Sequence, residues 1–240
     1  MNRVNIKVNE MEYYMEEELK TLRTNLLFCG VDKKIILVTS TVPGEGKSET
    51  SMNLAVSLAN LNKKVLLMDM DLRKSVMVPR YAIEQVKHGM AHFLSGQCQL
   101  SEVICATNIP RMHLAVAGPV TPNPTELLSG EILPKMLATL REVYDYIIID
   151  SAPLGLVIDS AIIARECDGA LLVVESGRAK YRQVQSVKAK IEASGCKVLG
   201  VVLNKIKEHN MGYYNAVYRK YGRYGNYSED MADNKEKPKA

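Results

Sequence analysis

The sequence predicts an α/β fold, in which helices flank both faces of a mostly parallel central sheet. Short runs rich in valine and isoleucine lack the polar–apolar alternation of half-exposed strands, so they indicate strands buried on both faces. Helical patterns separate these runs, and such alternation of strand and helix is typical of a parallel sheet. With 240 residues, 47% of them apolar, the chain can bury one core without disulfides or structural metal ions.

Six apolar runs are predicted to be strands: residues 35–39, 65–69, 113–117, 146–150, 170–174 and 198–203. Three helical patterns lie between them, at residues 46–61, 125–143 and 180–194. The second follows two prolines, and either Asn123 or Thr125 can cap it. The ligand of such a sheet is expected beyond the carboxyl ends of its strands.

The chain divides into three predicted parts. Residues 1–29 form a helical segment, in which four leucines follow an acidic cluster at helical spacing. Residues 30–206 hold the alternating strands and helices. Residues 207–240 have no apolar periodicity and end in a polar stretch, so they are predicted to form a flexible tail.

Composition and charge exclude several classes of protein. The net charge of +4 is too small to imply nucleic-acid binding by itself. No apolar stretch approaches the roughly 18 residues that span a bilayer, and the N-terminus has no signal-peptide core. The five cysteines are scattered and form no C-x-x-C pair, which favours reduced thiols. A cytoplasmic protein is therefore expected.

A tight loop follows the first predicted strand and leads into the first helix. Gly44 and Gly46 allow backbone amides to approach phosphate oxygens closely, and the start of the helix adds its positive dipole end. Lys47 supplies a charge to the β- and γ-phosphates, and the Ser48 hydroxyl is a magnesium ligand. Thr41 stands where the pattern G-x-x-x-x-G-K-[ST] has its first glycine. The loop predicts a site for a nucleoside triphosphate with Mg²⁺.

Acidic residues end two of the predicted strands. Asp69 and Asp71 point to the same side because they are two residues apart, and Asp150 ends a later strand. A carboxylate at this place, beside a phosphate loop, can hold magnesium through water. We therefore expect these acids to complete the nucleotide site.

Half of the twelve tyrosines lie close together near the C-terminus: Tyr213, Tyr214, Tyr218, Tyr221, Tyr224 and Tyr227. Interspersed glycines argue against a packed element. Three interpretations remain open: a stacking platform for nucleic acid, an interaction tail, or a set of phosphate acceptors. In a chain with an ATP site, acceptors are the favoured interpretation, and no nucleic-acid partner is expected.

Taken together, these features resemble the bacterial tyrosine kinases (BY-kinases) of capsule and exopolysaccharide synthesis, in their separate form from Gram-positive bacteria. Residues 39–48 match the family's Walker A loop, residues 66–73 its second Walker motif, and residues 147–153 its Walker B motif. Residues 117–128 and the tyrosine-rich end also match. The resemblance covers about residues 15–227.

The resemblance implies a P-loop NTPase fold and transfer of the γ-phosphoryl group of ATP to tyrosine, including autophosphorylation of the C-terminal cluster. Lys47 would stabilise the phosphoryl charge, and Asp69 or Asp71 would receive the tyrosine proton. Ser48 would bind Mg²⁺ directly, with Asp69 and Asp150 acting through water. The expected nucleotide contacts are Pro43, Gly44, Glu45, Gly46, Lys47, Ser48, Glu49 and Asn204, the last beside the base.

The resemblance also implies partners. A membrane activator similar to polysaccharide co-polymerases would stimulate the kinase through its cytoplasmic tail and recruit it to the inner face of the membrane, and a tyrosine phosphatase would reverse the reaction. Residues 1–29 would contact a neighbouring copy in a ring-shaped homo-oligomer. The family's E-x-x-R-x-x-R contact reads here as Glu17, Lys20 and Arg23, and lysine cannot make the bidentate contact of arginine.

The alternative class is the partitioning and division-site ATPases, which act as nucleotide-switched assembly proteins or scaffolds. These relatives use an additional lysine five positions before the invariant one, and they lack a tyrosine cluster. Here the corresponding position is Val42. Both features favour the kinase.

Overall fold

A computed structural model of the chain describes residues 2–8 and 11–206. Within these residues, eight strands form one sheet: β1 (Arg3–Val4), β2 (Ile35–Ser40), β3 (Val65–Asp69), β4 (Cys105–Thr107), β5 (Met112–Ala115), β6 (Tyr146–Asp150), β7 (Gly169–Glu175) and β8 (Val198–Asn204). The strand order is β1-β4-β5-β3-β6-β2-β7-β8, and the β4–β5 pair is antiparallel while the other pairs are parallel. The predicted fold class is confirmed.

The helices of the described residues lie on both faces of this sheet. They are α1 (Tyr13–Phe28), α2 (Lys47–Ala59), α3 (Met77–Arg80), α4 (Met90–Leu94), α5 (Leu100–Val103), α6 (Pro124–Ser129), α7 (Ile132–Arg141), α8 (Asp159–Ala164) and α9 (Tyr181–Ala193). None of these described helices is long and apolar enough to cross a membrane.

One predicted helix was wrong in its extent. Residues 125–143 form two helices, because the backbone at Gly130 is extended (φ −72°, ψ 163°) and ends α6 before α7 begins. The short strands β1 and β4 were not predicted, since two or three residues carry no periodicity. The division of the chain at residues 29 and 206 remains a prediction, and residues 207–240 lie outside the described residues.

Alternating residues of the strands build two apolar cores, one on each face of the sheet. Leu37, Leu66 and Ile147 belong to the core under α4–α9, whereas Ile36 and Leu67 belong to the core under α1–α3. This alternation explains the continuous apolar runs in the sequence, since both faces of each strand are covered.

The strand order places the loop after β2 close to the acidic residues that end β3 and β6. β2 lies between β6 and β7, and β3 lies on the other side of β6. The β3–β6 register places Asp69 directly opposite Asp150, and the β2–β6 register pairs Asp150 with Val38. The loop that follows β2 and the two strand-end acids therefore share one edge of the sheet.

Candidate active site

The phosphate loop spans the gap between β2 and α2. Gly44 (φ 85°) and Gly46 (φ 97°) adopt left-handed backbone conformations that glycine accepts without strain. A Cβ atom at Gly46 would lie 1.9 Å from Nδ2 of Asn204, so no larger residue fits there without displacing that side chain. Left-handed residues within a turn arrange successive amides around a concave surface that suits an anion.

Glu45 holds this loop from the inside. Its fully buried carboxylate accepts hydrogen bonds from the Thr41 amide (2.7 Å), the Thr41 hydroxyl (2.8 Å) and the Val42 amide (2.9 Å), and a fourth from the Glu175 amide (3.2 Å). The Asn204 side chain donates to the Glu45 carbonyl at 3.0 Å. The Glu45 side chain is thus occupied within the loop, which leaves its backbone amide as the group that can face a nucleotide.

Replacing Glu45 with Gln tests whether the hydrogen bonds to its carboxylate stabilise the loop. We expect the free energy of unfolding to fall by about 2–3 kcal/mol, because the charge that accepts these bonds is lost and an NH₂ group would face N–H donors. For a chain of this size, the melting temperature should drop by roughly 5–10 °C. Glu49→Gln is the matched control, since Glu49 is exposed and contacts Arg80 at 3.2 Å. Equal melting temperatures for the two variants would contradict the assignment.

Lys47 lies among carboxylates at the start of α2. Its ammonium is 3.4 Å from Oδ2 of Asp71, 3.7 Å from Oδ1 of Asp150 and 3.2 Å from the Ser48 hydroxyl. Burial lowers the pKa of Lys47, but Asp150, Asp71 and Asp69 together outweigh it, so its pKa lies above the ordinary value. The side chain therefore remains charged.

The two strand-end acids are buried side by side. Burial raises the pKa of Asp69 to about 7, and the negative charge of Asp150 adds to the effect. Burial also raises the pKa of Asp150, although Lys47 opposes this. Two of the three carboxylates beside Lys47 therefore resist ionisation, and an additional cation at this edge would favour their charged forms.

Asp69 and Asp71 differ in their surroundings. Asp69 accepts hydrogen bonds on both oxygens, from the Asp71 amide (3.1 Å) and from the Ser75 hydroxyl. Asp71 accepts the Lys74 amide at 3.0 Å on Oδ1, while its Oδ2 faces Lys47. The sequence did not predict the contact between Ser75 and Asp69.

An ion pair that the sequence did not predict supports the segment after β3. The Arg73 guanidinium contacts the Asp159 carboxylate in a bidentate fashion, at 2.6 and 2.9 Å, and the Thr125 hydroxyl donates to the same carboxylate at 3.0 Å. Asp159 is almost completely buried. Since Asp71 accepts the Arg73 amide at 3.3 Å, this pair ties the position of Asp71 to α6 and α8.

The donor set fits magnesium better than a metal held by protein alone. No group of three His, Cys, Asp or Glu side chains in residues 2–8 and 11–206 is arranged to hold an ion. Oxygen donors that could contribute are the Ser48 hydroxyl and the carboxylates of Asp69 and Asp150. Mg²⁺ typically takes one or two protein oxygens and completes its shell with water and phosphates.

The other predicted site residues lie near the loop or outside the described residues. Pro43 is exposed at the top of the loop, and Asn204 ends β8 beside Gly46. Tyr213, Tyr214, Tyr218, Tyr221, Tyr224 and Tyr227 all lie outside the described residues.

The site defines a P-loop nucleotide-binding protein. It has a glycine-rich loop between a central strand and a helix, and aspartates end two neighbouring strands.

Comparisons with known proteins give the family. A family model described as an AAA domain matches residues 33–194. The chain is 45% identical over 210 residues to the tyrosine-protein kinase CpsD of Streptococcus agalactiae, covering 88% of this chain and 90% of that protein. It is 35% identical to the tyrosine-protein kinase YwqD of Bacillus subtilis, and the match covers 89% of this chain and 92% of that protein.

Solved structures agree with these relatives. The kinase domain of the Escherichia coli tyrosine kinase ETK superposes with a TM-score of 0.75 at 29% identity, covering 79% of this chain and 75% of that one. The chain therefore belongs to the bacterial tyrosine-protein kinase family and is a protein-tyrosine kinase of the P-loop type.

The partitioning and division-site ATPases, the alternative class, share only the fold with this chain. The septum site-determining protein MinD of Pyrococcus horikoshii, solved with Mg-ADP, has a TM-score of 0.62 at 24% identity, with 71% of this chain and 69% of that one covered. The tyrosine-kinase relatives match at higher identity and over more of the chain, so the division-site alternative is not better supported.

Proposed function

We propose that this kinase transfers the γ-phosphoryl group of Mg-ATP to tyrosines of its own C-terminal segment, and that it regulates the synthesis of a capsule or exopolysaccharide. The observation that carries the proposal is the convergence of Lys47 with Asp69, Asp71 and Asp150 beside the phosphate loop. The tyrosine cluster at 213–227 supplies acceptors within the same chain.

The loop and Lys47 bind the phosphates in this proposal. The N–H groups of residues 44–48 would surround the phosphate oxygens, and Asn204 would contact the base. Lys47 contacts Asp71 and Asp150, and in this proposal it would exchange these carboxylates for phosphate oxygens when a nucleotide binds. Its retained charge then stabilises the charge spread over the phosphoryl group.

In this proposal the Ser48 hydroxyl would hold Mg²⁺ directly, and Asp69 and Asp150 would hold it through water. When bound, Mg²⁺ would supply positive charge to the phosphate oxygens. The hydrogen bonds from the Asp71 amide and the Ser75 hydroxyl fix the carboxylate of Asp69, so that it presents its oxygens in one orientation.

We assign proton acceptance to Asp71. Within the described residues, Oδ2 of Asp71 contacts only the Lys47 ammonium, so it becomes available when Lys47 turns to the phosphates. Tyrosine and aspartate differ by about six pKa units in water, or roughly 8 kcal/mol, so proton transfer before phosphoryl transfer is unfavourable. Asp71 instead orients the hydroxyl and accepts its proton late, as a loose transition state allows.

The proposed partners are a membrane activator with a cytoplasmic tail, a tyrosine phosphatase and further copies of the chain. The activator would bring the kinase to the inner face of the membrane. Within one copy, Lys20 contacts Glu17 at 2.6 Å and Arg23 donates to the carbonyl and hydroxyl of Ser57, both at 3.1 Å. A ring contact through these three residues would compete with those bonds.

Mass spectrometry after incubation with Mg-ATP and the activator's cytoplasmic tail tests the proposed function. We expect phosphate on tyrosines between 213 and 227. A control chain with all six tyrosines changed to phenylalanine should incorporate almost none. Phosphate confined to tyrosines outside this cluster would refute autophosphorylation of the tail.

A further inference from the structure

A cleft lies beside the phosphate loop, on the side of the sheet that α9 covers. It encloses about 220 Å³. The start of the phosphate loop (Thr41 and Val42) and the segment after β6 (Gly155 and Leu156) form two of its walls, and one face of α9 forms the third.

The size and lining separate this cleft from the nucleotide site. Its volume is below the roughly 300–1,000 Å³ typical of sites for whole small molecules, so it suits one side chain rather than a nucleotide. Neither Lys47 nor any of the three site aspartates lines it. The nucleotide mechanism therefore leaves the cleft unused.

The helical wall is cationic. Arg182, Ser186 and Lys190 follow at intervals of four residues, so their side chains lie in a row along α9. The Lys190 ammonium is 3.4 Å from the Leu154 carbonyl, a long contact. No carboxylate lines the cleft, and within the described part of the chain no ion pair engages Arg182 or Lys190. Two uncompensated cations at one rim favour an anion.

The inner surface of the cleft is apolar. Val187 forms its base and is 1% exposed, while Val42 and Leu156 flank it. Leu156 is 62% exposed in the free chain, so a ligand that covered it would remove apolar surface from water. The ligand that fits both features has a flat apolar body and an anionic end.

We propose that this cleft binds a phosphotyrosine side chain, with the ring against Val42, Leu156 and Val187 and the phosphate between Arg182 and Lys190. Phosphotyrosine carries a charge of about −1.5 to −2, and arginine forms strong charge-assisted hydrogen bonds with phosphate. A tyrosine kinase makes phosphotyrosine. The chain itself would supply this group from its phosphorylated residues 213–227, and this source rests on the proposed function. The cleft would then retain the product beside the catalytic loop.

Binding in the cleft would be linked to the nucleotide. Gly155 approaches Thr41 so closely that a Cβ atom would lie 1.8 Å from the Thr41 carbonyl oxygen. Thr41 and Val42 in turn donate to Glu45 within the phosphate loop. A ligand that contacts Val42 and Leu156 therefore touches the loop itself, and any effect on nucleotide affinity must be reciprocal.

The test is fluorescence anisotropy with a labelled synthetic peptide of residues 215–220 that carries phosphotyrosine at 218. The full chain with Lys47→Met serves as the receptor, at a temperature where thermal unfolding shows it to be folded, so its own tail stays unmodified and the outcome is independent of catalysis. We expect the phosphorylated peptide to bind at least about tenfold more tightly than the unmodified one. The double variant Arg182→Ala, Lys190→Ala should weaken binding by a similar factor.

Lys188→Ala is the matched control, because Lys188 lies on the same helix, contacts Glu192 at 2.8 Å and does not line the cleft. An unrelated phosphotyrosine peptide of equal charge tests whether the phosphotyrosine side chain alone is recognised. If either peptide binds and the double variant weakens that binding, the result supports the site. Equal binding of a phosphoserine peptide, or equal losses for Lys188→Ala and the double variant, would overturn the proposal.

Discussion

Lys47→Met should reduce phosphorylation of the C-terminal tyrosines by at least about 10²–10³-fold, the scale seen when one stabilising donor is removed from a transition state. The reason lies in its surroundings: Lys47 is the cation that contacts Asp71 and Asp150 at the edge where the phosphates would bind. Methionine fills a similar volume without the charge. Quantitative mass spectrometry of residues 213–227 after a timed incubation with Mg-ATP measures the loss.

The same substitution also affects stability. Removing one partner of a buried charged pair costs about 3–5 kcal/mol, so activity must be compared at a temperature where thermal unfolding shows the variant to be folded. Lys135→Met is the matched control, since the Lys135 side chain is 74% exposed and contacts only the exposed Glu131 in the described structure. Unchanged phosphorylation in folded Lys47→Met protein would remove Lys47 from the mechanism.

Asp69→Asn should raise the thermal stability of the nucleotide-free protein at pH 8 while lowering its kinase activity. Burial raises the pKa of Asp69 to about 7, from an ordinary value of 3.8. Above pH 7 the folded protein therefore keeps a carboxylate charged in a place that disfavours charge. Asparagine keeps a similar shape without that charge.

The pH dependence follows from the direction of this pKa shift. Below about pH 4, Asp69 is protonated in both folded and unfolded chains. Between pH 4 and 7 only the unfolded chain releases the proton, so the free energy of unfolding falls as pH rises, by a few kcal/mol in total. The Asp69→Asn variant does not lose this free energy of unfolding as the pH rises. Its stability relative to the unmodified protein should therefore be only slightly higher at pH 5 and should differ most at pH 8.

Thermal unfolding in EDTA at both pH values measures the difference. A gain of about 2 kcal/mol would raise the melting temperature by roughly 4–8 °C at pH 8 for a chain of this size. Glu131→Gln, at an exposed ion pair, should change little at either pH. Activity of the Asp69 variant should fall about 10–100-fold, because Asp69 is proposed to hold Mg²⁺ through water. A lower melting temperature at pH 8 would contradict the pKa assignment.

The sequence by itself determined the phosphate loop, the strand-end acids and the fold class. These features are local: glycines with left-handed backbone, a lysine at a helix start and aspartates at the ends of apolar runs are encoded by neighbouring residues. The order of strand, loop and helix then predicts that they meet at one edge. The tyrosine cluster is also local, and its use as an acceptor remains a prediction.

Tertiary structure alone decided which side chains support these groups. Arg73 and Asp159 are 86 residues apart, and nothing periodic in the sequence indicates that they pair. The role of Thr41, which replaces the first glycine of the loop, became clear only through its bond to buried Glu45. The cleft beside α9 likewise depends on how the segment after β6 contacts the loop. Such contacts follow from strand order and helix packing, because these bring together residues whose local patterns are independent of one another.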